Sequence, residues 1–433
     1  MRDTGKPDAD GPGPSSPAAK PSGKRQAAIP FVLVAVFLDV LGIGLIIPVL
    51  PTLIGQFTTG FDSQAYWYGL LSMVYGVMQF FFAPLLGALS DRYGRRPVLL
   101  LSIFGLGLDF LLMAFSSSLW MLVIARIIGG ITGASFTVAA AYIADVTTED
   151  NRSKGLGAIG AAFGMGFICG PVMGGVLGGI DLRYPFYVAA GLSLLNWIYG
   201  YFVLPESLPP EKRSTVSLRK ANPFVALMWL ARMRDVGGLI WVFGFTILGQ
   251  FILQTIWVLY TAMRFGWGPR QNGISLFVVG LTAAIVQAGL LGWLLKRIGE
   301  VRTVLLGLGS ATIACIAYGL VPQGWMMYVV IFANLLSFAS GPALQGLISK
   351  NVDPREQGLV MGSLNGLSSL ATIMSPLIGT PILAAVSHLA KSDLRVGAPF
   401  YLIALLQAVA LVLAIRFFRR RALSLGALAA SRT

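Results

Sequence analysis

Apolar residues run through this chain in long blocks divided by short polar segments. Phe31 to Leu50 is apolar except for Asp39. At about 1.5 Å per helical residue, such a run covers the roughly 30 Å hydrocarbon layer of a bilayer. The pattern predicts twelve membrane spans, near 30–50, 67–89, 98–116, 119–143, 155–178, 185–204, 238–260, 273–295, 303–321, 325–348, 359–385 and 398–417. Residues 1–29 are polar and rich in Pro, Gly, Ser and Ala, which predicts a disordered tail. The longest internal connection, 205–237, divides the spans six and six, so the expected layout is a bundle over 30–204, a linker, a bundle over 238–417 and a second tail over 418–433. The fold class expected is an all-α membrane protein of two six-helix bundles.

Composition supports lipid as the main solvent: 56% of the 433 residues are hydrophobic and 12% charged, against about a quarter charged in globular domains. The net charge of +14 does not point to nucleic acid, because the basic residues sit in short loops between apolar runs and not on one soluble face. Alternate loops and the two tails, counted with Arg416 at the end of the last span, carry 26 of the 32 Lys and Arg, and the loops between them carry 5. Positive charge stays on the cytoplasmic side, so both termini are expected there, in a multi-pass inner-membrane protein.

Enzyme chemistry is not indicated. Cys169 and Cys315 lie in apolar runs of different halves and read as small buried hydrophobes, and the lone His388 reads as a loop residue. No Walker A motif occurs, and the single GxGxxG match, Gly155 to Gly160, opens an apolar helix with no strand before it. No cofactor is expected. The partners expected are the bilayer, protons and a small-molecule substrate, with the chain acting as a monomer.

Ionisable groups inside spans each cost about 2.5–3.5 kcal/mol on insertion scales and mark function. Asp39, Asp109 and Arg126 fall in spans one, three and four, whereas spans seven to twelve carry none away from their ends. A buried carboxylate beside a cation can exchange a proton when its surroundings change; a purely structural ion pair is the competing reading. A second cluster, Gly87, Asp91, Arg92, Gly94, Arg95 and Arg96, occupies the loop after span two and has a degenerate copy, Gly292 to Gly299, after span eight, with Lys296 where the first has Asp91. Parallel half-repeats of this kind place a central site between the halves. A third pattern, Gly166, Gly170, Pro171, Gly174 and Gly175 in span five, suits close helix approach. In the second half Gln250, Gln254, Trp257, Gln287, Gln345 and Asn365 are open to substrate contact or to bonding between helices.

Together these clusters resemble the major facilitator superfamily and its twelve-span drug/proton antiporters, over residues 30 to 420. GALSDRYGRR from Gly87 is similar to that family's loop signature, GFICGPVMGG from Gly166 to its span-five antiporter signature, and LPES from Leu204 to the end of its span six. DVLGIGLIIPVLP from Asp39, Asp109-Phe110, RIIGGITGA from Arg126 and AYIADVT through Asp145 resemble the tetracycline/proton antiporters. The resemblance implies an intramembrane site of Asp39, Asp109 and Arg126, a cytoplasmic latch of Asp91, Arg92, Arg95, Arg96 and Asp145, and alternating-access export of a drug-like molecule. Two positions depart from it: Ala283 stands where that group has a span-eight histidine and Ala311 where it has a span-nine acid. An uptake symporter or facilitator for a sugar or organic acid is the alternative on the same fold. A membrane sensor or scaffold is another, and would not need Asp39 or Asp109.

Overall fold

A computed structural model describes residues 29–133, 135–214, 237–353 and 356–430. The expected tail over 1–29, save its last residue, and residues 215–236 of the expected linker lie outside that range. All regular structure among the described residues is helical. Among the described residues eleven helices are long and apolar enough to cross a bilayer, and one of them, Pro269–Leu320, runs for 52 residues. At ~1.5 Å per residue that is more than twice a membrane thickness. It is broken at Gly299, whose φ of 79° and ψ of 167° are not helical, so it supplies two spans, 269–298 and 300–320, and the total is twelve.

Gly299 is the counterpart of Gly94, where φ is 108° and span two (Phe61–Tyr93) gives way to span three (Arg95–Ala114). Both copies of the repeated loop therefore turn on a left-handed residue that only glycine adopts without strain. Other boundaries differ from the hydropathy reading. Span four is two helices, Leu119–Thr132 and Ser135–Val146, and span ten is likewise two, Trp325–Ala333 and Ser337–Lys350. Span eight carries a π turn over Val286–Leu290. Span seven (Gly237–Phe265) outlasts its expected end and takes Arg264 with it, buried, its Nη1 donating to the Tyr260 hydroxyl at 2.8 Å and the Gly319 carbonyl at 3.0 Å. Cys315 is buried and Cys169 half-buried, both as free thiols, and His388 is exposed.

Span one (Ile29–Ile46) packs on span five (Glu149–Gly178) through glycine: a Cβ on Gly44 would lie 2.9 Å from the Gly170 Cα, and one on Gly166 2.8 Å from the Phe37 carbonyl. Only hydrogen fits there, which is the packing role of small residues in membranes. The two bundles meet along span two against span eleven (Gln357–Val386) and span five against span eight. At the end away from the Gly94 loop they are closed. Gly175 lies against Gly273 and the Pro269 carbonyl, Gly280 against Ile168, Gly69 against Thr380, and Ser387 donates to Asp62. Followed toward the Gly94 loop, the same face of span five presents Gly164, Gly160 and Gly157, and a Cβ at any of these would meet nothing within 4 Å. The bundles part there.

Candidate functional site

The first half of the chain builds a charged site in the middle of its bundle. Asp109 is wholly buried on span three, and its Oδ2 accepts a 2.5 Å hydrogen bond from Nη2 of Arg126 on span four. The same Nη2 lies 2.7 Å from the Met113 sulfur, and the guanidinium sits over the ring of Tyr75, 5.2 Å from its centroid. Two glycines of span four make room for this: a Cβ on Gly129 would fall 2.5 Å from Asp109 Oδ2, and one on Gly130 2.7 Å from the Tyr75 carbonyl oxygen. Asp39, 3% exposed on span one, lies with Asp109 and Arg126 within electrostatic reach of the Tyr75 phenol. The pair is not saturated: Asp109 Oδ1 and Arg126 Nε make no hydrogen bond among the described residues. Such a pair leaves each ion only partly compensated for its lost hydration, so a change of protonation costs less here than in a fully bonded network.

This site forms one wall of a cavity of about 230 Å³ at the junction of the bundles. From the first half Tyr68, Ser72, Tyr75, Asp109, Arg126 and Phe167 line it; from the second, Phe251, Gln254, Thr255, Leu276, Thr372 and Ser375. The second half thus adds hydroxyls, an amide and apolar surface but no ionisable group. A larger cavity of about 450 Å³, between spans seven and eleven, is lined wholly by apolar residues and glycine, including Trp241, Phe245, Leu248 and Met374.

Of the second-half residues singled out from sequence, Gln254 reaches the central cavity. Gln250, Gln287, Gln345 and Asn365 are exposed but do not line it. Trp257 is a packing residue in this structure: it is 3% exposed, its indole donates to Ser275 Oγ at 2.9 Å and its ring stands edge-on to Tyr318. Missed in the sequence were Tyr68, Ser72, Tyr75, Thr255, Thr372 and Ser375. A hydroxyl in an apolar run reads there as an interhelical bond, and only the tertiary arrangement turns these residues toward one space.

The Gly94-loop cluster comes together around Arg95. Its Nη1 pairs with Asp91 at 2.6 Å and its Nε with Asp145, at the end of span four, at 3.1 Å. Asp145 also accepts from Ser207 at 3.2 Å. Glu206, within the LPES segment, accepts from the backbone N–H of Arg95 at 2.8 Å and of Arg96 at 3.3 Å, so the end of span six caps the first turn of span three. Gly94 is obligatory beneath it, since a Cβ there would collide with the Glu206 carboxylate. Arg96 turns away to the Tyr201 carbonyl at 2.5 Å, Arg92 is exposed, and Gly87 sits in the helix of span two. In the second copy Glu300, the residue after Gly299, pairs with Lys350 at the end of span ten. This is the Arg95–Asp145 arrangement with its charges exchanged. In span five, Gly166, Gly170 and Gly174 face span one, while Gly175 and the Pro171 carbonyl face span eight, so one motif serves a joint within a bundle and a joint between bundles.

Residues 32–376 match the family model of the Major Facilitator Superfamily. The chain is 41% identical over 384 residues to the class C tetracycline resistance protein of Escherichia coli, an alignment covering 88% of this chain and 96% of that protein. It is 28% identical over 366 residues to multidrug resistance protein 2 of Bacillus subtilis, covering 83% and 90%. Among solved structures, the human organic anion transporter MFSD10 superposes with a TM-score of 0.65 at 25% identity over 90% of this chain and 99% of that one. The nucleoside transporter NupG superposes at 0.74 with 12% identity over 90% and 99%, a likeness of fold. With twelve spans in two bundles, both copies of the glycine-turned loop and the span-five glycine joint in place, the chain belongs to the major facilitator superfamily, in the group of the tetracycline resistance proteins.

Proposed function

We propose that this chain exports tetracycline-type compounds across the bacterial inner membrane in exchange for protons, working as a monomer by alternating access between two bundles, 30–204 and 238–417, joined by the linker 205–237. Both termini are assigned to the cytoplasm by the distribution of Lys and Arg. The parted end then opens to the cytoplasm and the closed end faces outward. The observation that carries the reading is the buried Asp109–Arg126 pair in the wall of a cavity between the bundles.

Asp109 takes the proton, Arg126 sets the energy of its ionised form, and Asp39 is the second acid of the site. The second-half wall offers Gln254, Thr255, Thr372 and Ser375 as neutral hydrogen-bonding groups, suited to a ring system rich in oxygen. With Ala283 and Ala311 in place of ionisable residues, coupling falls to the first half. The membrane potential supplies about 2.3 kcal/mol per charge for each 100 mV, enough to drive uphill export. Asp91, Arg95 and Asp145 latch the cytoplasmic end of the first bundle.

The test is tetracycline-induced proton movement in proteoliposomes. Wild type is expected to move protons on adding tetracycline, and Asp109→Asn is expected to abolish it. The single variant strands a buried guanidinium at a cost of about 3–5 kcal/mol, so the neutral double variant Asp109→Asn/Arg126→Gln is measured beside it; that protein is expected to be stable and still uncoupled. Proton movement by the double variant would overturn the role of Asp109, and wild-type flux with a sugar but not with tetracycline would replace the export reading with uptake.

A further inference from the structure

Tyr75 carries none of the sequence signals that mark Asp109 and Arg126, yet the structure places it in direct contact with their chemistry. Its backbone is pressed against span four at Gly130, one helical turn beyond Arg126, where a Cβ would lie 2.7 Å from the Tyr75 carbonyl and 3.3 Å from its Cα. That close approach, which only glycine permits, sets the ring beneath the guanidinium, 5.2 Å from Cζ to the ring centroid. The hydroxyl is buried and has no hydrogen-bond partner among the described residues. A hydroxyl that makes no bond does not explain the position of the side chain, and the ring face does.

Arg126 stays charged at every pH of interest. When Asp109 is neutral the guanidinium loses its acid partner, and what remains around it among the described residues is the Met113 sulfur, the Tyr75 ring and, within the same site, Asp39 and Tyr68. An aromatic face attracts a desolvated cation through its quadrupole without being titrated itself. We infer that Tyr75 is a positioning residue for proton exchange, its ring holding the Arg126 guanidinium in place while Asp109 is protonated. The inference rests on the proposed proton role of Asp109.

Among the described residues the titratable and charged groups that face the Asp109–Arg126 pair are Tyr68 and Tyr75 from span two and Asp39 from span one. Span six, which packs on span three, has its four tyrosines exposed and brings only Ser193 and Asn196 as buried polar groups. Removing the ring disfavours the protonated state, so the pH profile of exchange should move toward acid.

The experiment compares Tyr75→Phe and Tyr75→Trp, which keep an aromatic face, with Tyr75→Leu and Tyr75→Met, which do not, the methionine guarding against a leucine variant that fails to fold. Proton-coupled exchange is measured across pH in proteoliposomes. Phe and Trp are expected to keep the wild-type profile, and Leu and Met to shift its midpoint to lower pH by about one unit, with roughly tenfold less exchange at neutral pH. Superimposable profiles for Phe and Leu or Met would overturn the inference and leave the guanidinium to Asp39 and Met113. If Asp109→Asn/Arg126→Gln remains coupled, the parent reading fails instead, whatever the Tyr75 variants do.

Discussion

Substituting alanine for Gly129 sets two opposing energies against each other, and the structure says which wins. In a helix interior the change is ordinarily favourable by about 1 kcal/mol, because glycine loses more backbone entropy on folding. Here the added methyl would lie 2.5 Å from Asp109 Oδ2, 2.7 Å from its Cγ and 3.3 Å from its Cβ. To restore an ordinary separation of nonbonded atoms the carboxylate must retreat by roughly 1 Å. That retreat takes the 2.5 Å bond to Arg126 to the limit of hydrogen bonding. A hydrogen bond to a charged group contributes about 1.5–3 kcal/mol, so the net effect is a loss of about 0.5–2 kcal/mol. Gly129→Ala is therefore expected to be inserted and slightly less stable, with pH-driven exchange in proteoliposomes reduced about 2- to 30-fold. Thermal unfolding in detergent gives the stability arm of the measurement. Wild-type exchange together with a raised Tm would refute the reasoning, since it would mean that span four does not confine the carboxylate.

Glu206→Ala removes the acceptor of the Arg95 and Arg96 amides and should lower stability by about 1–2 kcal/mol, read as a fall in Tm; Glu206→Gln, which keeps one acceptor oxygen, should recover part of it. Glu300→Lys should slow exchange by repelling Lys350, and the double variant Glu300→Lys/Lys350→Glu should restore it. The pair is surface-exposed on its lysine side and its energy is below about 1 kcal/mol, so the effect is sought in transport rates, and an unrestored double variant would remove the pair from the gating scheme.

Much of this architecture could be read from hydropathy and glycine. The twelve spans follow from block length, and the break within Pro269–Leu320 follows from Gly299 through its likeness to Gly94. The breaks in spans four and ten were not legible, because Gly133 and Asn334 stand inside apolar runs whose hydropathy does not change at a bend. Arg264 falls beyond the end that hydropathy gives span seven for a related reason: its charge ends the apolar run, while the Tyr260 and Phe265 rings and two hydrogen bonds let the helix continue past it.

At the site, charge was the legible part. Asp109 and Arg126 stand out because lipid penalises them. Tyr75 did not, since an aromatic ring in a span is ordinary. Gln250 and Gln254 share a helix face, one turn apart, yet only Gln254 lines the cavity. Periodicity gives the face of a helix, and the depth at which two bundles enclose a space depends on how they are tilted together.

The two faces of span five differ in what they ask of a residue over time. Gly166, Gly170 and Gly174 belong to a permanent joint, so any bulk there is a defect in every state of the protein. In the alternating-access cycle proposed above, Gly157, Gly160 and Gly164 belong to a joint that is made and unmade. A methyl on Gly160 finds open space in this conformation and, in that cycle, must be expelled when the bundles swing shut on that side. Its whole cost falls on one state, and each ~1.4 kcal/mol of it changes the ratio of the two populations tenfold. A residue that is innocuous in this structure would thus work as a wedge, holding a molecule built to alternate on one half of its cycle.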